Sequence, residues 1–205
     1  MRATSSRLIK GFLAFFLMVC LMYPVTVRAG IPLDTVKTHV MGVIDVLRDP
    51  SLKGEAGKKA KRDRVRAASD RMFDFTELSK RTLGQNWNKL STEQRKEFVD
   101  LYKNLLSDTY EERIMAYSDE KVNFTKEVPL TEKTVEVQSA VVTKTAETPI
   151  FYRMIKKETG EWRVYDVVIE GVSLVSNYRT QFREIMANNP PEALLDALRK
   201  KTIKK

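Results

Sequence analysis

The sequence predicts an α+β fold: a four-stranded antiparallel sheet packed with N- and C-terminal helices. Two observations carry this. Apolar residues recur at three- and four-residue steps as far as Tyr117, alternate between Lys121 and Ile169, and return to helical spacing after Gly171. The alternating part divides into four runs with short connections, and strands joined so closely pair antiparallel, because a parallel crossover takes a dozen residues or more. With 42% apolar and 31% charged residues, the chain has the proportions of one globular domain with a solvated surface, not of a disordered, collagen-like or multi-span membrane protein.

Residues 1–29 stand apart from this body. Arg2, Arg7 and Lys10 form a basic start, the run Phe12 to Tyr23 carries no charge, and Pro24 leads to Val27-Arg28-Ala29, a small-residue cleavage pattern before Gly30. The segment reads as a cleaved secretory signal peptide, with 30–205 as a single domain. Its apolar run falls short of the roughly 20 residues that cross a bilayer. Cys20, the only cysteine, lies inside it and follows Met18-Val19 instead of the small residues that lipoprotein processing prefers. A mature chain without a thiol has no disulfide, cysteine nucleophile or thiolate metal site, and holds together by apolar burial.

Each element follows from its pattern. Leu33, Val36, Val40, Val43, Ile44 and Leu47 mark one stripe of a helix from about Pro32 to Arg48, ended by Asp49-Pro50. The next stretch has no apolar residue larger than alanine between Lys53 and Arg64, and is expected as a loop or exposed first turn that becomes helix through Ala68, Met72 and Phe73. A short helix, Phe75 to Leu83, stops at Gly84. Ser91-Thr92-Glu93-Gln94 has the form of a capping box opening a long helix. Phe98, Leu101, Tyr102, Leu105, Leu106 and Tyr110 form its stripe, which runs on through Ile114. Val122 and Phe124, then Val135 to Val142, Ile150 to Ile155 and Trp162 to Ile169 mark the strands, the last two joined at Glu158-Thr159-Gly160-Glu161. Leu174, Tyr178, Phe182 and Ile185 share a helix face, Asn188-Asn189-Pro190-Pro191 breaks it, and a last helix runs through Leu194, Leu195 and Leu198.

The chemistry open to these residues is narrow. Lys53, Lys58, Lys59, Lys61, Arg62, Arg64 and Arg66 concentrate the positive charge, together with the tail 199–205. Such segments suit anionic head groups or an acidic partner, or are simply a solvated helix face and a frayed tail. Neither has the aromatic interleaving, zinc spacing or recognition helix of a nucleic-acid binder. His39 is the lone histidine, with no second ligand at metal spacing. No nucleophile elbow, phosphate loop or dinucleotide fingerprint is present. Asp166, inside the apolar strand Val164 to Ile169, is a general-base candidate by burial, but the stronger reading is a structural acid paired with a hydroxyl or with an arginine such as Arg153 or Arg179. That strand is apolar on both faces, so helices cover one side, and helices or a bound apolar ligand cover the other.

Phe75-Thr76-Glu77-Leu78-Ser79 with Leu83-Gly84-Gln85-Asn86-Trp87, Gln94-Arg95-Lys96-Glu97-Phe98, Leu105-Leu106 with Tyr110, and above all Val164-Tyr165-Asp166-Val167, Glu170-Gly171-Val172-Ser173-Leu174-Val175 and Asn177-Tyr178-Arg179 with Gln181-Phe182 resemble the MlaC (toluene-tolerance) family of exported phospholipid-binding proteins. The resemblance runs in order through nearly the whole mature chain, although the basic 53–66 segment matches no family motif. It implies a curved sheet akin to the nuclear-transport-factor-like fold, with helices and sheet enclosing an apolar pocket for acyl chains. It also implies a periplasmic shuttle carrying phospholipid between an outer-membrane lipoprotein complex and an inner-membrane ABC transporter complex, with no enzymatic activity, cofactor or metal. The lining is expected from Leu101 and Leu105, from Tyr152, Met154, Val164 and Val167, and from Val172, Leu174, Tyr178 and Phe182. In a regular strand Val164 and Val167 point to opposite faces, so one of that pair is expected to contribute. Other readings are a periplasmic adaptor that binds a protein and holds no lipid, and an enzyme on the same sheet using Asp166.

Overall fold

The structure, a computed structural model, describes residues 31–117 and 120–203, with the side chains of 202 and 203 left out. The leader expected over 1–29 lies outside the described residues. Helix α1 (Ile31–Arg48) buries Pro32, Val36, Ile44 and Leu47, and carries Asp34 in its first turn and Arg48 in its last, both favourable to the helix dipole. Asp49 then caps a short 3₁₀ turn, Pro50–Leu52, accepting from the Ser51 amide at 2.8 Å.

Helix α2 (Gly54–Met72) corrects the expected loop: the basic stretch is helical from Gly54 onward. Its charges are paired locally or with neighbours, so the helix needs only Gly57, Val65, Ala68 and Met72 on its buried face. Gly57 is there because α2 crosses the preceding turn at contact distance. A Cβ at this position would lie 2.3 Å from the Leu52 carbonyl carbon. Gly57→Ala is therefore expected to cost about 2 kcal/mol by forcing the two backbones apart. Urea unfolding checks this, and an unchanged midpoint would mean that the turn yields freely.

Asp74 caps helix α3 (Phe75–Leu83), accepting from the Glu77 amide at 2.9 Å, and pairs with Lys157. Burial works against its charge, but the Lys157 ammonium and the amides of Glu77 and Thr76 outweigh it and hold the carboxyl below the ordinary 3.8. A depressed folded-state pKa stabilises the fold in full above 3.8, and the gain disappears as the pH falls below that value and through the group's own lower one. Asp74→Asn should thus lower stability at pH 6 and flatten its acid limb below about pH 4. A wild-type slope retained by the variant would assign that limb elsewhere. Helix α4 (Thr92–Met115) opens with the complete capping box of Ser91 and Gln94.

The sheet comprises β1 (Lys121–Thr131), β2 (Thr134–Val142), β3 (Glu147–Lys156), β4 (Trp162–Ile169) and β5 (Val172–Ser173), antiparallel and in sequence order. The fifth, two-residue strand departs from the expected four. The chain doubles back at Glu170-Gly171, both at positive φ (50° and 82°), which lays Val172 beside Ile169. Register shifts at Thr125 and Leu130 in β1 and at Tyr165 in β4 are bulges, which bend and twist the strands that carry them. Helices α5 (Leu174–Met186) and α6 (Pro191–Ile203) complete the α+β architecture.

Apolar burial divides in two. Leu78, Phe98, Tyr102, Tyr178, Phe182 and Leu194 anchor a helical cluster among α3 to α6. Val36, Met72, Val137, Met154, Val164 and Leu174 belong to a second cluster, between the sheet and α1. Phe73 and Tyr110 touch both.

Candidate functional site

The bulge in β4 decides how the sheet presents its apolar residues. Arg153 pairs with Asp166 and Met154 with Val164, so Tyr165 is the extra residue. The added residue restores a common face for Val164 and Val167, which stand opposite Met154 and Tyr152. The regular alternation that would put the two valines on opposite faces is thereby corrected. Val135 and Val137 of β2 stand opposite Met154 and Tyr152 on the other side, so six residues from three strands form one apolar patch. Val36 of α1, Met72 of α2 and Leu174 at the start of α5 pack onto it.

This patch is closed. Val36, Val137, Met154 and Val164 are fully buried, at the place where the family resemblance implies an apolar pocket. Tyr152 lies in it, and burial pushes its phenol up to about 12, against a smaller opposing pull from the Ser139 hydroxyl. The ring is therefore uncharged in neutral solution. Two surface depressions lie elsewhere. One, of about 380 Å³, sits between Gly84–Lys89 and α5, where Lys89, Arg179 and Arg183 make it cationic. The other is a narrow crevice between α2 and α4.

Of the expected lining residues, the structure brings Tyr152, Met154, Val164, Val167 and Leu174 together in the sheet-side cluster. Tyr178 and Phe182 belong instead to the helical cluster, with Leu101 and Leu105 packed against it. There Tyr102 meets Tyr178 and Phe182 edge-on at centroid distances of 5.2 Å. Burial raises the Tyr102 phenol well above its ordinary range, and its hydroxyl lies 3.4 Å from that of Thr82. Val172 is 57% exposed and belongs to neither cluster. Val36, Met72, Val135 and Val137 were absent from the expected lining. Their apolar periods were legible, but which stripe faces which sheet face is a matter of tertiary packing.

On the other side of β4, Asp166 is 2% exposed and fully engaged. Its Oδ1 accepts from the Val175 amide at 3.0 Å, and its Oδ2 from the Ser173 hydroxyl at 2.7 Å and Arg153 Nη1 at 3.2 Å. Arg153 also reaches Glu136 at 3.1 Å, and Ser173 caps α5 by accepting from the Ser176 amide. The carboxylate is thus a clamp that ties the β4–β5 turn to the first turn of α5. Arg179, the other arginine considered for it, donates instead to the Arg81 carbonyl at 2.7 and 3.1 Å. The Arg81 guanidinium lies 3.9 Å over the Tyr165 ring. The Val164-Tyr165-Asp166-Val167 and Ser173-to-Arg179 motifs are therefore one joint between strand, turn and helix.

His39 is half-buried, and burial, with Arg163 and Arg71 nearby, lowers its pKa below 6.5. Among the described residues there is no cluster of three or more His, Cys, Asp or Glu suited to a metal ion, and no helix long and apolar enough to cross a membrane.

Comparison with known proteins agrees with this architecture. A solved phospholipid-binding protein from Ralstonia solanacearum, in complex with a phospholipid, superposes with a TM-score of 0.73 at 25% identity, covering 83% of this chain and 96% of that one. The intermembrane phospholipid transport system binding protein MlaC of Haemophilus influenzae is 27% identical over 101 residues, 47% of each chain, so the match spans about half the length of that curated relative. The family model described as MlaC protein matches residues 37–200, from within α1 to within α6, and so takes in the whole sheet. The chain belongs to the MlaC family.

Proposed function

We propose that this protein binds phospholipid through its acyl chains and carries it through the periplasm, as an exported shuttle between an outer-membrane lipoprotein complex and an inner-membrane ABC transporter complex. The observation that carries the reading is the second apolar cluster: a patch of β2, β3 and β4 covered by only a few side chains of α1, α2 and α5, separate from the helical core. The fold can part there and keep its main core intact. Each acyl methylene buried is worth about 0.8 kcal/mol, so two chains inserted along the patch offset the contacts given up when the covering elements move away. Tyr152, Met154, Val164, Val167 and Leu174 are the lining assigned to this site. Leu101, Leu105, Tyr178 and Phe182 support it from the helical side, and Tyr110 and Phe73 stand where the two clusters meet.

Detergent-free purification followed by organic extraction and lipid mass spectrometry tests this reading. Glycerophospholipid in about stoichiometric amount is the expected result, and a folded sample yielding none removes it. The closed packing of the patch favours the second reading, an adaptor that binds a protein and holds no lipid. The same extraction separates the two.

A further inference from the structure

We propose, resting on the phospholipid reading above, that the seam between α2 and α4 is the mouth of the acyl-chain site and that ion pairs across it act as its latch. Val65 and Ser69 of α2 face Ser107, Ile114 and Met115 of α4 across a crevice of about 30 Å³, too small for a chain. Its floor leads inward. Val65 and Ser69 lie seven and three residues before Met72, and Ser107 and Ile114 flank Tyr110 at three and four residues, so each set shares one helix face. Met72 and Tyr110 both pack in the sheet-side cluster. The crevice is thus the outer end of a line of side chains that stops at the apolar patch.

What closes the seam is mostly charge. Arg62 Nε meets Glu111 Oε1 at 2.7 Å, and Arg66 Nη2 reaches Glu111 Oε2 at 3.2 Å and Asp108 Oδ1 at 3.3 Å. Lys103 of α4 reaches back to Asp70 at 2.6 Å. Arg62 and Arg66 remain 51% and 46% exposed. Their partners Glu111 and Asp108 are more covered, at 19% and 26%, so these are half-exposed pairs, which salt screens in part. A seam held in large part by such pairs opens more readily than the helical cluster, which is held by apolar contacts. This gives the basic segment a purpose that a solvated face does not: Arg62 and Arg66 meet carboxylates of the facing helix, while Lys58 and Lys59 pair within α2.

The test measures transfer of a fluorescent-acyl phosphatidylcholine from zwitterionic vesicles to the purified protein at 0.05 and 0.5 M NaCl, concentrations that span roughly a threefold change in screening length. The wild-type rate should rise about three- to fivefold with salt. Glu111→Gln, which removes the two pairs that Glu111 makes and leaves Arg66–Asp108 and Lys103–Asp70 in place, should be faster than wild type at low salt and less dependent on salt. Glu192→Gln, on α6 beside Arg199, should behave as wild type. In a Cys20→Ser background, Ser69→Cys with Ser107→Cys joined by a short bismaleimide should slow transfer about tenfold, with no fall in thermal midpoint. Lipid transfer that proceeds at wild-type rate and salt dependence in Glu111→Gln, or undiminished through the cross-linked seam, overturns the mouth and leaves phospholipid binding standing. No uptake by any form overturns both.

Discussion

Asp166→Ala is expected to cost about 3 kcal/mol of folding stability, far more than an exposed acid would. The carboxylate receives the Val175 amide, the Ser173 hydroxyl and Arg153 while almost wholly buried. Its removal leaves a buried amide without an acceptor at the start of α5, and an arginine that keeps only Glu136. The full penalty for breaking a buried pair is tempered because Arg153 is about one-third exposed and has that second partner. Asp166→Asn keeps the shape and one acceptor oxygen, and should lose about 2 kcal/mol. Urea unfolding with an unchanged slope measures both. A loss under about 1 kcal/mol for the alanine variant would show that the turn and helix are held without this clamp.

Phe98→Ala should be larger still, about 4 kcal/mol, since it opens a cavity in the helical cluster. The ring is fully buried and lies 5.5 Å from Tyr102 and 5.6 Å from Phe182 between centroids. Because the proposed lipid site lies at the other cluster, the variant should still yield wild-type amounts of phospholipid at temperatures where it remains folded. Val164→Phe makes the opposite change, overfilling the closed sheet-side patch, and should cost only about 1–2 kcal/mol while sharply lowering recovered lipid. Equal lipid recovery from wild type and Val164→Phe would argue that the chains lodge elsewhere.

The contrast between these variants reflects how differently the two clusters announce themselves. Leu78, Phe98, Tyr102, Tyr178 and Phe182 lie on amphipathic helices whose stripes are readable from spacing alone. The capping box at Ser91 and the stop at Gly84 are equally local, because each satisfies backbone groups within one turn. By contrast, the helix over the basic segment escaped a reading based on apolar period, since charge pairing replaces much of the usual burial there. The joint position of Val164 and Val167 was equally hidden. A strict two-residue period excludes it, and only the pairing of β3 against β4 reveals Tyr165 as the added residue.

By itself the sequence determined the α+β class, the order and bounds of most elements, and the strand-turn-helix motif that points to the MlaC family, because propensity, capping and side-chain period act over a few neighbouring residues. Tertiary structure alone decided that nine of the ten candidate lining residues divide between two clusters while Val172 joins neither, that Asp166 is a clamp, and that the basic helix closes onto α4. Those outcomes depend on contacts between residues tens of positions apart, where strand register and helix docking choose among faces that the linear pattern leaves equivalent.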